Sequence, residues 1–402
     1  MKPKNLIILV IILAVLAGLS FLVKNKQPTK SSKKEIGGEF ITNLPVNDIA
    51  SITIHSEEEK LTLGKKDDKW VVKTRYDYPA DFKKIKEFVL KLKESKIGRS
   101  FKASDATISR LGMKKPDDEK AKEDEKGMIV TLSDKDNKQI AQFTIGNTRD
   151  TDTGSGGQYI YNEEDSLIYL LDKVLKYTEK ESSGWLEKEL LDVKAEDIEK
   201  VECVNEEDVT VYTVKRPEKG KKPELLTPVP EGRKLKSSEL DSLFRSISSL
   251  RIEDVLDPAE KVKDNSKLTK VTFSKFDGTS YTFYPHKVFK DDEDKHCVRL
   301  EVSFVEPPKP EVEKADAEAE QLTPDKTVPV KEDEEAKKEE DKEKEPEKTP
   351  EELAYEAQNL NKKLNGWTYI LSKWKFENFV TEMDEFLEEV KKKEVKKKED
   401  KE

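Results

Sequence analysis

The chain has 402 residues, enough for two or three domains, and 40% of them are charged against 34% that are apolar. Its 75 basic and 85 acidic residues give a formal net charge of −10. Nucleic acid is therefore disfavoured as a partner, because a phosphate backbone calls for a surplus of Lys and Arg on some face. Two Cys and three His are too few for a disulfide scaffold, a zinc-ribbon array or an iron–sulfur protein.

An uncharged apolar run covers residues 6–23 and follows a short leader with Lys2 and Lys4. As a helix the run would span roughly 27 Å, enough to cross the hydrocarbon core of a bilayer. It predicts an uncleaved N-terminal transmembrane helix, residues 1–23, whose apolar part contacts membrane lipid. A cleaved secretory peptide and a buried helix of a soluble protein are the alternatives.

Two features of the sequence predict opposite orientations for this anchor. Five lysines lie between residues 24 and 34, and by the positive-inside rule alone they would keep the body of the protein in the cytoplasm. That rule weakens when a long domain follows, and the leader has the form of an export signal. We expect a single-pass protein of the bacterial cytoplasmic (inner) membrane with an extracytoplasmic body.

Strand patterns with alternating apolar residues begin after a linker at residues 24–45. A helical pattern follows the first hairpin, with Ile85, Phe88, Val89 and Leu92 at i, i+3, i+4 and i+7. We expect the last strand, at residues 169–171, to run directly into a helix. The strands predicted in this part of the chain are residues 49–54, 60–63, 70–72, 128–133, 140–145, 159–161 and 169–171.

The same order of patterns recurs later in the chain. The helical pattern there consists of Leu240, Leu243, Phe244 and Ile247, preceded by a capping box from Ser238 to Asp241. Its strands are predicted at residues 197–203, 209–214, 271–275, 280–284, 298–302 and 369–371.

This repetition predicts an α+β fold with two tandem repeated modules, each an antiparallel sheet packed by helices, behind the one N-terminal transmembrane helix. The first α+β module is expected at residues 46–180 and the second at residues 195–390. A connector at residues 181–194 joins them.

An acidic low-complexity segment, residues 306–352, falls between the last two strands of the second module. Its 47 residues include 19 acidic and 9 basic residues, seven Pro, no Gly and no aromatic residue. Such a composition cannot bury enough surface to offset the entropy lost on ordering, so we expect a disordered insertion. It is either a solvated surface loop or an interaction tether. The charged tail at residues 391–402 is expected to be solvated as well.

A combination of short motifs supports a family resemblance. They are the strand at residues 49–54, Leu61-Thr62-Leu63, Lys69-Trp70-Val71-Val72, Pro79-Ala80-Asp81, Leu111-Gly112-Met113-Lys114-Lys115-Pro116 and Phe143-Thr144-Ile145-Gly146. Together with the lysine-led anchor they resemble a bacterial membrane-anchored family known as domain of unknown function 4340. Its members are often encoded beside an ABC-type transport system whose other parts resemble gliding-motility components. The resemblance implies an accessory extracytoplasmic protein and supplies no catalytic residue, and the long acidic insertion departs from the compact family pattern.

The histidines and cysteines do not form a recognisable metal motif. His55, His286 and His296 lie in or beside predicted strands, and adjacent residues of a strand such as His296 and Cys297 point to opposite faces. Cys203 and Cys297 lie in strands of the second module. They are expected to be buried free thiols, with a disulfide as the alternative.

Other short motifs are better explained as turns or core than as sites. Residues 150–157 lack the final Glu of an EF-hand and the Gly-Lys-Ser/Thr of a P-loop, and residues 291–294 form a charged turn. Ser182-Ser183-Gly184 is not a nucleophile elbow. The four tryptophans are expected in cores or domain junctions; they are Trp70, Trp185, Trp367 and Trp374. The sequence therefore predicts no catalytic, cofactor-binding or metal residue and no cofactor.

Two classes of function remain. The first is a membrane-anchored, extracytoplasmic, non-enzymatic accessory or scaffold protein associated with an ABC-type transport system. The second is an envelope hydrolase or ligand-binding sensor whose site is assembled from scattered residues. A compact pocket with converging polar groups would favour the second class.

Overall fold

A computed structural model describes residues 35–149, 156–175, 178–260, 265–308 and 348–390. The chain divides into two compact units, Met1–Lys188 (unit 1) and Glu189–Glu402 (unit 2). The expected anchor and the expected charged tail lie outside the described residues. Within the described ranges, no helix is both long enough and apolar enough to span a bilayer.

Unit 1 is built on one antiparallel sheet of nine strands. The strands are β1 (Ser51–His55), β2 (Lys60–Lys66), β3 (Lys69–Val72), β4 (Tyr78–Pro79), β5 (Ile97–Lys102), β6 (Met128–Ser133), β7 (Gln139–Thr148), β8 (Gln158–Asn162) and β9 (Leu167–Leu171). Their order across the sheet is β4-β3-β2-β1-β6-β7-β8-β9-β5. Neighbours in the chain are neighbours in the sheet within β1–β4 and within β6–β9; β6 pairs with β1, and β5 crosses to the far edge and pairs with β9.

Helix α1 (Phe82–Glu94) makes this crossover possible. It starts where Asp81 accepts a hydrogen bond from the backbone N–H of Lys84, which satisfies one of the free donors of the first turn. Its apolar stripe of Ile85, Phe88, Val89 and Leu92 is buried, as the spacing predicts. A second, shorter helix, α2 (Asp105–Arg110), is capped by the side chain of Ser104.

The core of unit 1 is centred on β1. Ile52 and Ile54 are fully buried, and each is paired across the sheet with two residues that are fully buried as well. The cross-strand partners are Leu63 and Leu132 for Ile52, and Leu61 and Val130 for Ile54. Each such side chain contributes on the order of 2 kcal/mol when it leaves water, so this cluster stabilises the centre of the sheet.

Unit 2 is built on an antiparallel sheet of eight strands and two small two-stranded sheets. Its strands are β10 (Glu189–Leu191), β11 (Ile198–Val204), β12 (Thr210–Lys215), β13 (Glu224–Leu225), β14 (Arg233–Leu235), β15 (Leu250–Arg251), β16 (Asp254–Val255), β17 (Lys270–Lys275), β18 (Thr279–Lys290), β19 (Glu293–Phe304), β20 (Tyr369–Ile370) and β21 (Leu387–Glu389). The order in the large sheet is β13-β12-β11-β17-β18-β19-β20-β16, while β10 pairs with β15 and β14 pairs with β21. The described residues of the unit also form three α-helices: α3 (Ser237–Arg245), α4 (Pro350–Leu364) and α5 (Lys373–Glu377).

The two large sheets have the same sequence of connections. In each, a hairpin is followed by a helix, the next strand that belongs to the large sheet lies at its far edge, and the strand after that returns to pair with the first strand of the hairpin. The register agrees as well, since Val201 of β11 pairs with Val214 and Phe273 as Ile52 pairs with Leu63 and Leu132. The α+β class expected from the sequence is confirmed at this level: antiparallel sheets with few helices.

The ends of the predicted modules differ from the boundaries in the structure. Phe40, expected in the linker at residues 24–45, is 1% exposed and packs edge-on against Phe143 and Tyr169 of unit 1. In the connector expected at residues 181–194, Trp185 is 2% exposed within unit 1 and Glu189 already belongs to β10 of unit 2. The described residues of both segments therefore pack on the units.

Three helix details also differ. Helix α3 has no side-chain cap from Ser238, because its N-cap is Lys236, held by a backbone hydrogen bond to Phe386. No helix follows β9 directly, since Asp172 is tied back to Lys96 by two hydrogen bonds. Helix α4 begins at Pro350, inside the segment expected to be a disordered insertion, and most of the rest of that segment lies outside the described residues.

Candidate functional site

A cleft of about 550 Å³ in unit 2 is lined mostly by charged side chains. We call it the basic cleft. Five of its lining residues are cationic and two are acidic, which gives a local charge of 5 − 2 = +3. The residues that line it are Lys194, Ala195, Glu196, Arg216, Gly220, Lys221, Lys222, Asp241 and Arg245.

Arg216 lies at the base of the basic cleft because of the alternation of β12. Tyr212 and Val214 face the core, and Arg216, directly after the strand, continues the same face. It is only 7% exposed, and its guanidinium lies 4.9 Å from the ring centre of Phe244 in α3. The alternating pattern predicts an apolar residue at this position, but the chain has an arginine. The aromatic face of Phe244 stabilises its positive charge.

The remaining cations come from two other elements and from the loop after Arg216. Lys221 and Lys222 are exposed on the loop between β12 and β13, whose turn passes through Gly220 at a φ of +83°. Arg245 ends helix α3 and Lys194 precedes β11. A charge array of this kind attracts anions, because the field of several cations adds within one cleft.

A second cleft, of about 370 Å³, lies in unit 1 where two of the family-like motifs meet. We call it the glycine cleft. The N–H of Asn147 donates to the carbonyl oxygen of Leu111 at 2.8 Å, which joins the loop after α2 to β7. Gly146 allows this approach, because a Cβ there would lie 2.5 Å from that carbonyl oxygen. The side chain of Gln158, 1% exposed, donates to the carbonyl of Gly146 and accepts from the N–H of Leu175.

Lys126 and Lys180 line the glycine cleft, but both are neutralised. Lys126 forms an ion pair with Glu57 at 2.6 Å, and Lys180 forms one with Glu58 at 3.3 Å. The family-like motifs at residues 111–116 and 143–146 thus meet chiefly to join two backbone segments by hydrogen bonds. Among the described residues, the cations of the basic cleft form no such ion pairs.

The cysteines are free and buried. Cys203 lies in β11 and Cys297 in β19, with β17 and β18 between them, so that about 14 Å separates their strands and a disulfide is out of reach. Burial raises the pKa of Cys203 to about 11, against a hydrogen bond with Tyr212 that lowers it, and burial raises the pKa of Cys297 to about 12. Both thiols are neutral at physiological pH.

The histidines are spread over three strands. His55 is in β1, and His286 and His296 are in β18 and β19, where His286 pairs across the ladder with Cys297. The ring of His296 packs 5.0 Å from that of Phe376. Among the described residues, no group of three or more His, Cys, Asp and Glu side chains is placed to hold a metal ion.

The motifs interpreted as turns have different outcomes. Asp291 and Asp292 both have positive φ and form the tight turn between β18 and β19, which confirms a charged turn. Residues 150–155, the main part of the other motif, lie outside the described residues. Ser182 of the Ser182-Ser183-Gly184 motif is fully buried and donates its hydroxyl to Glu59, so its role is structural.

The tryptophans divide between core and surface. Trp185 is a core residue whose indole N–H donates to the carbonyl of Glu179 at 3.0 Å, and Trp70 and Trp367 are half-buried. Trp374 is 63% exposed, so of the two expected locations the core is wrong for it. In the short helix α5 the buried residue is Phe376. Trp374 is two positions away and therefore lies on the opposite face of the helix.

Comparison with known families assigns the chain. The model of the family described as Domain of unknown function (DUF4340) matches residues 70–270, half of the 402 residues. The chain belongs to this family, and the resemblance inferred from its motifs is confirmed. The match runs from β3 to the start of β17 and includes every residue that lines the basic cleft. No curated protein and no solved structure matches the chain.

The basic cleft was not predicted from the sequence, although one signal for it was present. Tyr212, Val214 and Arg216 occupy one face of a strand pattern, so an arginine follows two core residues at the same spacing. The loop that follows is rich in lysine and carries Gly220 between Pro217 and Pro223. Lys194 and Arg245 are distant in sequence, and only the folded chain brings them to the same cleft.

Proposed function

We propose that this protein is a membrane-anchored, extracytoplasmic and non-enzymatic accessory or scaffold subunit that works with an ABC-type transport system. The observation that carries the proposal is the arrangement of the chain: an 18-residue apolar run precedes two large sheets, of nine and eight strands, whose connections follow the same order. Membership of the DUF4340 family supports it, because the family resemblance implies that genetic setting.

We infer that the two units are tandem copies of one module. Support comes from corresponding positions as well as from topology. Tyr169 in β9 and Tyr369 in β20 are both fully buried, and each hydroxyl donates to a residue a few positions upstream, to Asp165 at 2.6 Å and to the carbonyl of Leu364 at 2.8 Å. A duplicated sheet gives a scaffold two broad surfaces of similar construction on one chain.

Anchoring at residues 6–23 would keep both units where membrane partners are concentrated. Tethering raises the effective concentration of the partner, so weak contacts with a transport subunit suffice. In this proposal the transport partner, and not this protein, recognises the transported substrate.

Co-purification after mild detergent extraction tests the proposal. The full chain should bring down permease or accessory membrane subunits, and crosslinking with mass spectrometry should place those subunits on units 1 and 2. Removal of residues 1–23 should abolish function while the body still folds, and an unrelated transmembrane helix in place of residues 6–23 should restore it. Full activity of the soluble body with turnover of a defined substrate would contradict the proposal and favour an envelope hydrolase.

A ligand-binding sensor is the second candidate, and the basic cleft is the observation that favours it. The cleft combines a buried arginine with four further cations from three segments of the chain. Binding of a small anion there is compatible with an accessory role as well, since the ligand would occupy one cleft of unit 2.

A further inference from the structure

We propose that the basic cleft of unit 2 binds a phosphate group, carried either by a small soluble polyanion or by a lipid headgroup. The proposal goes beyond a role as accessory subunit, because it assigns a ligand class to named residues. It rests on the burial and the missing partners of Arg216, on the state of the surrounding cations, and on the composition of the cleft wall.

Arg216 is the central residue. It is 93% buried, its Nε is inaccessible to solvent and has no hydrogen-bond partner, and within the described ranges its guanidinium forms no ion pair. Burying a charged side chain without a partner of opposite charge is strongly unfavourable for folding. An apolar side chain in such a buried position is often more stable. A bound anion would supply both the missing charge and the missing acceptor.

The position is unusual by comparison with unit 1. The N–H of Arg216 donates to the carbonyl of Glu199 at 2.6 Å, and in unit 1 the N–H of Lys65, at the corresponding place in β2, donates to the carbonyl of Ala50 at 3.1 Å. Lys65 is exposed, and its ammonium lies over Trp70 at 5.6 Å. The burial of a cation at this place is thus specific to unit 2 and does not follow from the shared topology.

The cations around the basic cleft fall into two groups, those that line the cleft and those that lie outside it. Lys219 pairs with Asp197 at 2.5 Å and Lys215 pairs with Glu199 at 3.2 Å, and neither lines the cleft. In the described part of the chain, the lining cations form no ion pair; they are Lys194, Arg216, Lys221, Lys222 and Arg245. The surplus charge is therefore concentrated inside the cleft.

The wall of the cleft favours phosphate. Seven of the nine lining residues are charged, and the other two are Ala195 and Gly220, so no large apolar side chain lines the cleft to receive a peptide side chain or an acyl chain. Two guanidinium groups offer forked donors that match phosphate oxygens, and lysines add point charge. The two carboxylates, Glu196 and Asp241, leave a net charge of 5 − 2 = +3, which suits a ligand with two or more negative charges.

Isothermal titration of the detergent-solubilised full chain with pyrophosphate tests the site. One site per chain is expected, with affinity that falls as salt is raised from about 0.05 M to 0.15 M. Arg216→Met should weaken binding about ten- to hundredfold, since it removes charge-assisted hydrogen bonds, and Arg245→Gln should weaken it severalfold. Lys219→Gln is the matched control: it removes the same charge from the same loop outside the cleft and should change affinity less than about twofold.

A lipid arm distinguishes the two sources of phosphate. Competition with pyrophosphate by short-chain phosphatidylglycerol, but not by short-chain phosphatidylcholine, would identify an anionic lipid headgroup as the ligand. If neither lipid competes, the ligand is a soluble polyanion. If Arg216→Met fails to fold, the pair Lys221→Gln and Lys222→Gln decides through the same titration. Absence of pyrophosphate binding, equal losses in Arg216→Met and Lys219→Gln, or binding of polyglutamate alone would overturn the proposal. None of these outcomes depends on co-purification of transport subunits, so the two proposals fail separately.

Discussion

The carboxylate of Glu59 accepts two hydrogen bonds from Ser182, one from its N–H at 2.8 Å and one from its hydroxyl at 2.7 Å. These residues are 123 positions apart, and the contact fixes the end of unit 1 to the start of β2. Arg75 adds an ion pair at 2.9 Å. Burial opposes ionisation of Glu59, but the hydrogen bonds from Ser182 and the charge of Arg75 outweigh it and lower the pKa of Glu59 below its usual value.

Glu59→Gln should therefore destabilise unit 1 by about 2 kcal/mol at neutral pH. The folded pKa of Glu59 is depressed, so its contribution is present above the unfolded pKa, 4.5, and is lost as pH falls through the folded value. The difference between variant and wild type should shrink below about pH 4.5. Glu58→Gln, which breaks an exposed pair with Lys180, is the control and should cost less than about 0.5 kcal/mol. Urea unfolding at several pH values measures both, and equal losses would contradict the assignment.

The buried thiols predict a strong difference between native and unfolded protein. With pKa values of about 11 and 12, Cys203 and Cys297 carry almost no thiolate at pH 8 and should not react with Ellman's reagent in the native state. Both should react in denaturant. Because the folded pKa values exceed the ordinary value of 9.0, stability should fall as pH rises above about 9. Rapid labelling of native protein at pH 8 would show that the strands open locally.

The acidic segment offers a matched pair of deletions. Removing residues 309–347 and closing the gap with a short Gly-containing linker should leave the thermal midpoint nearly unchanged, because loop length affects stability only weakly. Removing residues 309–352 should destabilise unit 2 by about 1 kcal/mol or more. It takes away the capping box in which Thr349 and Glu352 bond each other's backbone N–H at the start of α4. Equal midpoints for the two deletions would contradict this account of α4.

Unit 1 should fold alone when its boundary is respected. Every strand of its sheet lies between residues 51 and 171, so a fragment of residues 35–188 should unfold cooperatively in calorimetry. A fragment that stops at residue 180, the end of the first module expected from the sequence, lacks Ser182 and the buried Trp185. It should be less stable by about 3 kcal/mol or more. Identical midpoints would mean that Trp185 packs no better than a solvent-exposed side chain.

The sequence predicted the central strands well because buried and more exposed residues alternate along them, as in β1 and β6. Ile52 and Val201 were placed in strands by period alone, and both are central in the structure. Helix α4 was missed although Thr349-Pro350-Glu351-Glu352 is a capping box with Pro at the first helical position, because the charge of the neighbouring segment dominated the composition. The basic cleft could not be predicted as a site, since convergence of Lys194, Arg216 and Arg245 depends on tertiary packing and not on spacing.

Membrane topology is the most direct test of the central claim that the body is anchored outside the cytoplasmic membrane. The native cysteines are buried, so one added cysteine becomes the reactive thiol: Lys86→Cys on the exposed face of α1, or Lys2→Cys in the leader. In spheroplasts, a membrane-impermeant maleimide should label Lys86→Cys at once and Lys2→Cys only after lysis. Labelling of Lys2→Cys alone, or of Lys86→Cys only after lysis, would contradict the account.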